Sequence, residues 1–273
     1  MIIIILLIYL KDIYILLYIL LMSYSCLKHK NNVFSQNGED GIIKYIFDKM
    51  DIKNGCFVEF GAWDGKHLSN TYNLYLNKWE GIYIESEKDK YIHLVNNFKN
   101  DPKITCIHSM VGYDEKDNLD AIIDNSNYAD KEFDIISIDV DGLDYNILKK
   151  INKYLPKVIC IEINAGHSPI YDKEIPISIS HNNIGQSIKI ISDYAATKDY
   201  FPLCYTGNLF LIQNKYKDLF ETDIKDLQQI YIEFLQYLEP EGLEHLRKTF
   251  VIKKIYNGFV FKNNILENFL NET

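Results

Sequence analysis

The apolar positions of this chain fall into short solid runs, separated by stretches in which apolar residues recur at helical spacing. Cys56 to Phe60, Gly81 to Glu85, Ile104 to Val111, Phe133 to Asp139 and Val158 to Ile163 are runs of the first kind. Solid runs of this length, rich in β-branched residues, predict strands buried on both faces, as in a parallel sheet. Residues 41–50 are of the second kind, with Ile42, Ile43, Ile46, Phe47 and Met50 on one helical face. Helices are likewise predicted over 87–99, 117–126, 144–153 and 185–198, with a short one from Ser69 to about Asn77. Ser35 to Asp40 reads as a helix start, with acids in the first turn. Strand and helix alternating in this way predict an α/β fold, Rossmann-like and mostly parallel. Leu203–Tyr205 and Leu209–Ile212, flanking Thr206-Gly207, predict a closing antiparallel hairpin. A long loop, 165–183, precedes the last helix of this unit. The main domain is expected over 31–215. Residues 216–273 are read as an extension, a helix carrying Leu227, Ile230, Tyr231, Phe234, Leu235 and Leu238 and a strand at about 250–261.

Residues 1–22 are almost wholly apolar, interrupted by Lys11-Asp12. A spanning helix needs about 20 apolar residues, but a charge at its centre costs roughly 2.5–3.5 kcal/mol. Residues 1–30 are therefore read either as a membrane anchor or as a segment packed on the domain. Lys28, His29 and Lys30 follow the run, and as an anchor it would leave the body of the chain on the cytoplasmic side.

Composition narrows the function classes. Asp and Glu number 38 against 29 Lys and Arg, a formal charge of −9 over 273 residues. With no long basic run, nucleic acid is an unsuitable main partner, and a neutral or cationic ligand suits the chain better. Five scattered cysteines without a C-x-x-C pair read as buried free thiols.

The candidate chemistry lies at strand ends. Glu59-Phe60-Gly61-Ala62-Trp63-Asp64-Gly65 stops a strand in a glycine turn, at the carboxyl edge where open α/β sheets bind ligands. Glu85 ends the next strand, and a carboxylate there can accept both hydroxyls of a ribose. The G-x-G-x-x-G dinucleotide signature and the Gly-Lys-Ser/Thr phosphate loop are both missing. The pattern fits a nucleoside ligand without a pyrophosphate, and S-adenosylmethionine answers that description. Plainer readings stand beside it: ordinary turn glycines, and a solvated acid at a strand end.

Further words extend the pattern. Ser35-Gln36-x-Gly38-Glu39-Asp40, Phe57-Val58-Glu59-x-Gly61-Ala62-x-Asp64-Gly65, Ser69-Asn70-Thr71 and Trp79-x-Gly81-Ile82-x-Ile84-Glu85 together resemble the FkbM-type methyltransferases. Ile138-Asp139-Val140-Asp141-Gly142-x-Asp144, Ile161-Glu162-Ile163-Asn164, Gly185-Gln186-Ser187 and Asn208-Leu209-Phe210-Leu211 continue the resemblance over about 33–212. It implies a class I, S-adenosylmethionine-dependent fold that methylates hydroxyl oxygens of sugars or natural products. Asp141 and Asp144 depart from it, standing where many members carry glutamates.

On this reading Glu59, Gly61, Ala62, Asp64, Gly65, Asn70, Glu85 and Asp139 form the cofactor side. Glu59 would reach the methionine amino group, directly or through water, and Glu85 the ribose. Ser69 is an expected N-cap, and Trp63 either lines the cleft or wedges under the turn. Asp139, Asp141, Glu162 and His167 are the catalytic candidates. Asp139 and Glu162 could share a divalent metal ion with Asp141 or Asn164, and His167 could serve as the base. The plain alternatives are acids capping an Asp-Gly turn and a solvent-facing histidine. The expected acceptor is a small molecule or glycan. A rival reading keeps the fold without turnover, as a membrane-tethered binding or trafficking protein. An NAD-type oxidoreductase is disfavoured by the missing third glycine.

Overall fold

The structure is a computed structural model, and it describes residues 25–140, 142–176 and 185–236. The apolar segment 1–22, the strand expected near 250–261 and Asp141 lie outside the described residues. No helix among the described residues is long and apolar enough to cross a membrane.

Seven strands form one sheet: β1 (Cys56–Phe60), β2 (Glu80–Glu85), β3 (Ile104–His108), β4 (Ile135–Ile138), β5 (Val158–Glu162), β6 (Tyr200–Tyr205) and β7 (Asn208–Gln213). Their order is β3-β2-β1-β4-β5-β7-β6. The first five run parallel, and β7 pairs antiparallel with both β5 and β6. This is the Rossmann-like sheet with a closing hairpin that the apolar pattern predicts. The strand order reverses beside β1, whose neighbours are β2 and β4, the position at which open α/β sheets bind ligands beyond the carboxyl ends of their strands.

Each face of the sheet has its own core. Val58, Phe60, Ile82, Ile84, Ile136, Ile138, Ile159 and Ile161 belong to one, under α4 (Leu119–Asp124), α5 (Asp144–Leu148), α6 (Ile188–Thr197) and α7 (Leu227–Gln236). Phe57, Tyr83, Ile135, Cys160 and Phe210 belong to the other, under α1 (Glu39–Lys49), α2 (Tyr72–Leu76) and α3 (Lys88–Phe98). Helices on both faces explain the solid runs: alternate residues point to opposite faces and both are buried. Removing a fully buried Phe or Ile here leaves a cavity costing about 2–5 kcal/mol.

Differences from the predicted elements lie at their ends. The third strand stops at His108 rather than Val111, and α5 stops at Leu148 rather than near 153. A 3-10 helix, Asn214–Phe220, follows β7 where none was expected. The first helix begins at Glu39, because Gly38 in its N-cap position has a φ of 93°, a left-handed conformation suited to glycine.

Candidate functional site

The turn after β1 is pressed against the tip of β4. Gly61 has a φ of 72°, and a Cβ built on it would stand 2.2 Å from the Asp139 carbonyl oxygen. Neither backbone can yield at that distance, so glycine is required by a neighbouring strand. Gly65 has a different partner. A Cβ there would stand 2.5 Å from the Phe98 ring of α3 and 2.8 Å from Leu94. The turn is held to β2 as well: Ala62 N–H donates to the Ile84 carbonyl at 3.2 Å. Ala62 itself is buried in the core of this face.

Glu85 completes the junction. Its Oε2 accepts the Trp63 N–H and its Oε1 the Glu87 N–H, both at 2.7 Å. The two strand tips are thus linked through one buried carboxylate. A carboxylate offers about four acceptor positions, so two remain for a ligand's hydroxyls. Asp64 turns inward on its own loop: its Oδ1 accepts from the backbone N–H groups of Lys66 at 2.9 Å and His67 at 2.8 Å. It therefore shapes the turn. The Trp63 side chain stands outside the turn, 44% exposed, with the Lys90 ammonium 5.1 Å from its ring. That corrects the wedge alternative.

Glu59 is fully buried and accepts from four uncharged donors. Ser69 Oγ donates to Oε2 at 2.7 Å, Asn70 N–H to Oε1 at 3.1 Å, and Thr71 donates through both N–H and Oγ1, at 3.3 and 2.5 Å. Burial pushes its carboxyl above the usual glutamate range and outweighs the downward pull of these bonds. Glu59 thus fixes the segment 69–71. The N-cap of α2 is Thr71 rather than the expected Ser69, whose Oγ, two residues earlier, accepts from the Thr71 and Tyr72 N–H groups at 3.2 and 2.9 Å. Asn70 continues inward, its Nδ2 donating to Ser137 Oγ at 3.1 Å. Glu59 and Ser137 are register partners on β1 and β4, and Ser137 and Cys160 on β4 and β5. A polar row therefore crosses the sheet under α1 and α2.

Asp139 is exposed just beyond the tip of β4, and Glu162 is half-buried at the tip of β5. They flank the same edge. The turn between β4 and α5 is capped by Asp144, whose Oδ1 accepts Val140 N–H at 2.9 Å and Oδ2 Gly142 N–H at 2.8 Å. The sequence reading did not single out Asp144 for this capping, and Asp141 lies outside the described residues. His167 lies in the loop after β5, stacked on Tyr171 with ring centroids 5.4 Å apart. Its Nε2 is buried without a hydrogen-bond partner, and burial lowers its pKa below 6.5. It is not the solvent-facing histidine of the plainer reading. Among the described residues no three or more His, Cys, Asp or Glu side chains converge as a metal site would require.

One participant escaped the sequence reading. Glu39 is wholly buried at the head of α1. It accepts from Asn37 N–H at 2.7 Å, Thr206 Oγ1 at 3.0 Å and Asn208 Nδ2 at 3.3 Å. Asn208 is the register partner of Glu162, so Glu39 ties the loop 35–38 to the hairpin beside the acidic edge. Gly207 lacks a Cβ where one would stand 2.2 Å from the Asn37 amide. The available signal was the pairing of a charged residue with an otherwise apolar helix face, which a helix-dipole acid also explains.

No family model matches this chain, and no curated protein matches it. Solved structures do. An S-adenosylhomocysteine-bound methyltransferase from Podospora anserina is similar over 66% of this chain and 79% of its own, at 13% identity and a TM-score of 0.41. A putative caffeoyl-CoA O-methyltransferase from Staphylococcus aureus is similar over 75% of this chain and 97% of its own, at 16% identity and a TM-score of 0.42. A glycopeptide N-methyltransferase complexed with sinefungin is similar over 68% and 88%, at 9% identity and a TM-score of 0.39.

Proposed function

We propose that this chain is an S-adenosylmethionine-dependent methyltransferase that methylates a hydroxyl of a sugar or glycan-type acceptor. The observation that carries the reading is the Glu85 junction. A buried carboxylate at a strand tip, bonded to the N–H of the neighbouring glycine turn at 2.7 Å, has acceptor positions left for a ribose. The resemblance to FkbM-type sequences supports the choice of nucleoside and the sugar-type acceptor.

The residues fit such a cofactor. Glu85 would hold the ribose, and the turn Gly61–Gly65 would supply backbone groups beside it. When bound, S-adenosylmethionine supplies a methyl group on a positively charged sulfur. The chain's own contribution is alignment and charge. The acidic edge formed by Asp139 and Glu162 favours a cationic donor and can accept hydrogen bonds from acceptor hydroxyls. Glu59 acts at one remove, by fixing residues 69–71. His167 is the base: burial keeps its ring neutral at pH 7, and its Nε2 can take the proton leaving the acceptor oxygen. Alignment of the acceptor oxygen with the methyl carbon supplies most of the remaining acceleration.

Titration calorimetry with S-adenosylhomocysteine and with NADH tests the first part. Saturable binding of the former alone is expected; binding of NADH alone would overturn the reading. Mass-spectrometric comparison of glycan extracts, incubated with the protein and S-adenosylmethionine, tests the second. A product heavier by one CH₂ group on a sugar hydroxyl is expected, and a methylated nitrogen or carboxylate product would replace the acceptor class.

A further inference from the structure

The loop 33–38, ahead of α1, has its backbone donors almost fully spent. Asp40 Oδ2 accepts the N–H groups of Val33, Phe34 and Ser35 at 2.9, 2.7 and 2.8 Å. Glu39 Oε2 accepts that of Asn37 at 2.7 Å, and Asn32 Oδ1 accepts that of Gly38. The Asn32 amide returns to the Gln36 carbonyl at 2.9 Å. Asp40 and Glu39 are buried, so the loop is fixed from within the protein. Gln36 is the exception in this accounting. It is exposed, and among the described residues neither its backbone N–H nor its side-chain amide has a hydrogen-bond partner. A firmly held backbone thus presents one residue with three free donors and a free amide oxygen.

The two ends of the loop place that residue. Phe34 meets Tyr72 of α2 edge-on, with ring centroids 4.6 Å apart, and α2 begins beside the segment that Glu59 of β1 holds. Asn37 abuts Gly207 at the hairpin tip, and Glu39 accepts from Thr206 and Asn208 there. Between β1 and β7 in the sheet lie β4 and β5, whose carboxyl ends carry Asp139 and Glu162. Gln36 therefore stands at the carboxyl edge, beside these two acids. An anionic acceptor is repelled at such an edge. A neutral polyol suits it, because the donor and acceptor of a carboxamide match adjacent hydroxyls.

We propose that Gln36 binds the acceptor, hydrogen-bonding a sugar hydroxyl adjacent to the one that is methylated. The inference rests on the reading of this edge as a methyltransferase site for hydroxyl acceptors. Because the loop backbone is fixed beforehand, binding has only the Gln36 side chain to order, which keeps the entropic cost of the contact small.

The test titrates methyl α-D-glucopyranoside, methyl α-D-mannopyranoside and methyl α-D-galactopyranoside singly into the full chain, followed by saturation-transfer NMR with and without S-adenosylhomocysteine. Saturable binding of at least one glycoside is expected, and Gln36→Ala should weaken it fivefold or more. The same variant should keep its melting temperature, and its S-adenosylhomocysteine affinity by calorimetry should stay within twofold of the wild type. Glycoside binding that ignores Gln36→Ala overturns the assignment, as does the absence of saturable binding of all three. Loss of S-adenosylhomocysteine affinity in Gln36→Ala overturns it too, by placing the loop on the cofactor. A wild-type chain that binds no S-adenosylhomocysteine, yet binds a glycoside through Gln36, would overturn the methyltransferase reading and leave the sugar contact standing.

Discussion

The Glu85 carboxylate and the Trp63 backbone N–H stand 2.7 Å apart, and this bond joins the tips of two parallel strands beside the bond from Ala62 N–H to the Ile84 carbonyl. It gives Glu85 a structural task alongside its proposed ligand-binding one, and the two can be separated by substitution. Glu85→Gln keeps one amide oxygen for Trp63 or Glu87 and loses the charge. Glu85→Ala loses both. S-adenosylhomocysteine affinity should fall by about 1–3 kcal/mol in either variant, while thermal stability should fall chiefly in Glu85→Ala. An unchanged affinity in calorimetry would remove Glu85 from the ribose contact.

The two glycines of the turn should differ in their tolerance of a methyl group. Both have positive φ, a strain of about 1–3 kcal/mol for other residues. Gly61→Ala adds a collision with the Asp139 backbone, whereas Gly65→Ala meets the edge of the Phe98 ring, which can rotate away. Urea titration should find Gly61→Ala the more destabilised. The reverse order would show that α3 is the more rigid neighbour.

Glu59 should leave a signature in the pH dependence of stability. Its folded pKa is raised by burial, so the folded state holds its proton more tightly than the unfolded chain does. Stability from this group is then full below the ordinary glutamate pKa and declines as pH rises through the raised value. Glu59→Gln cannot lose a proton, and its stability should decline less between pH 4 and 7 than that of the wild type. Parallel curves from urea titrations across this range would show that the four donors, not burial, set the charge of Glu59.

His167 has the opposite sign. Its pKa is lowered by burial, so its NMR titration midpoint should lie below 6.5. Tyr171→Ala uncovers one face of the ring and should move that midpoint upward. The methylation rate should accordingly hold as pH falls to 6.5 and drop only below it. A midpoint that ignores Tyr171→Ala would mean that the stack does not seal the ring.

Tyr231 of α7 donates its hydroxyl to the Ala165 carbonyl, pinning the loop that carries His167 from the far side. Tyr231→Phe keeps the packing and frees that carbonyl. About 0.5–1.5 kcal/mol of stability should be lost, and amide hydrogen exchange should quicken over 164–171 and not in β1 or β2.

Much of this arrangement was legible in the chain itself, for a physical reason. Strands buried on both faces must be apolar throughout, so β1, β2, β4 and β5 announce themselves as unbroken runs, and Thr206-Gly207 marks the hairpin. The polar junctions were harder. Gly61 meets residue 139, Gly65 meets residue 98, and Glu39 meets residues 206 and 208. Such pairings depend on how strands are ordered in space, and no local pattern encodes them. Motif matching therefore marks a turn and strand ends but not the residues that pack against them. The extra 3-10 helix after β7 was missed because Asn214-Lys215-Tyr216-Lys217-Asp218 has too few apolar positions to show a period.

The tie between Glu39 and the hairpin spans 167 residues to Thr206. Closure over so long a stretch comes late in folding, after more local contacts have formed. During synthesis, the wall beside the acidic edge cannot assemble until Asn208 has left the ribosome, although β1, β2 and their linking carboxylate are made much earlier. A nascent chain halted before that point would hold β1 and β2 with their linking carboxylate already in place, but without the bonds through which Glu39 joins Asn37 to Thr206 and Asn208.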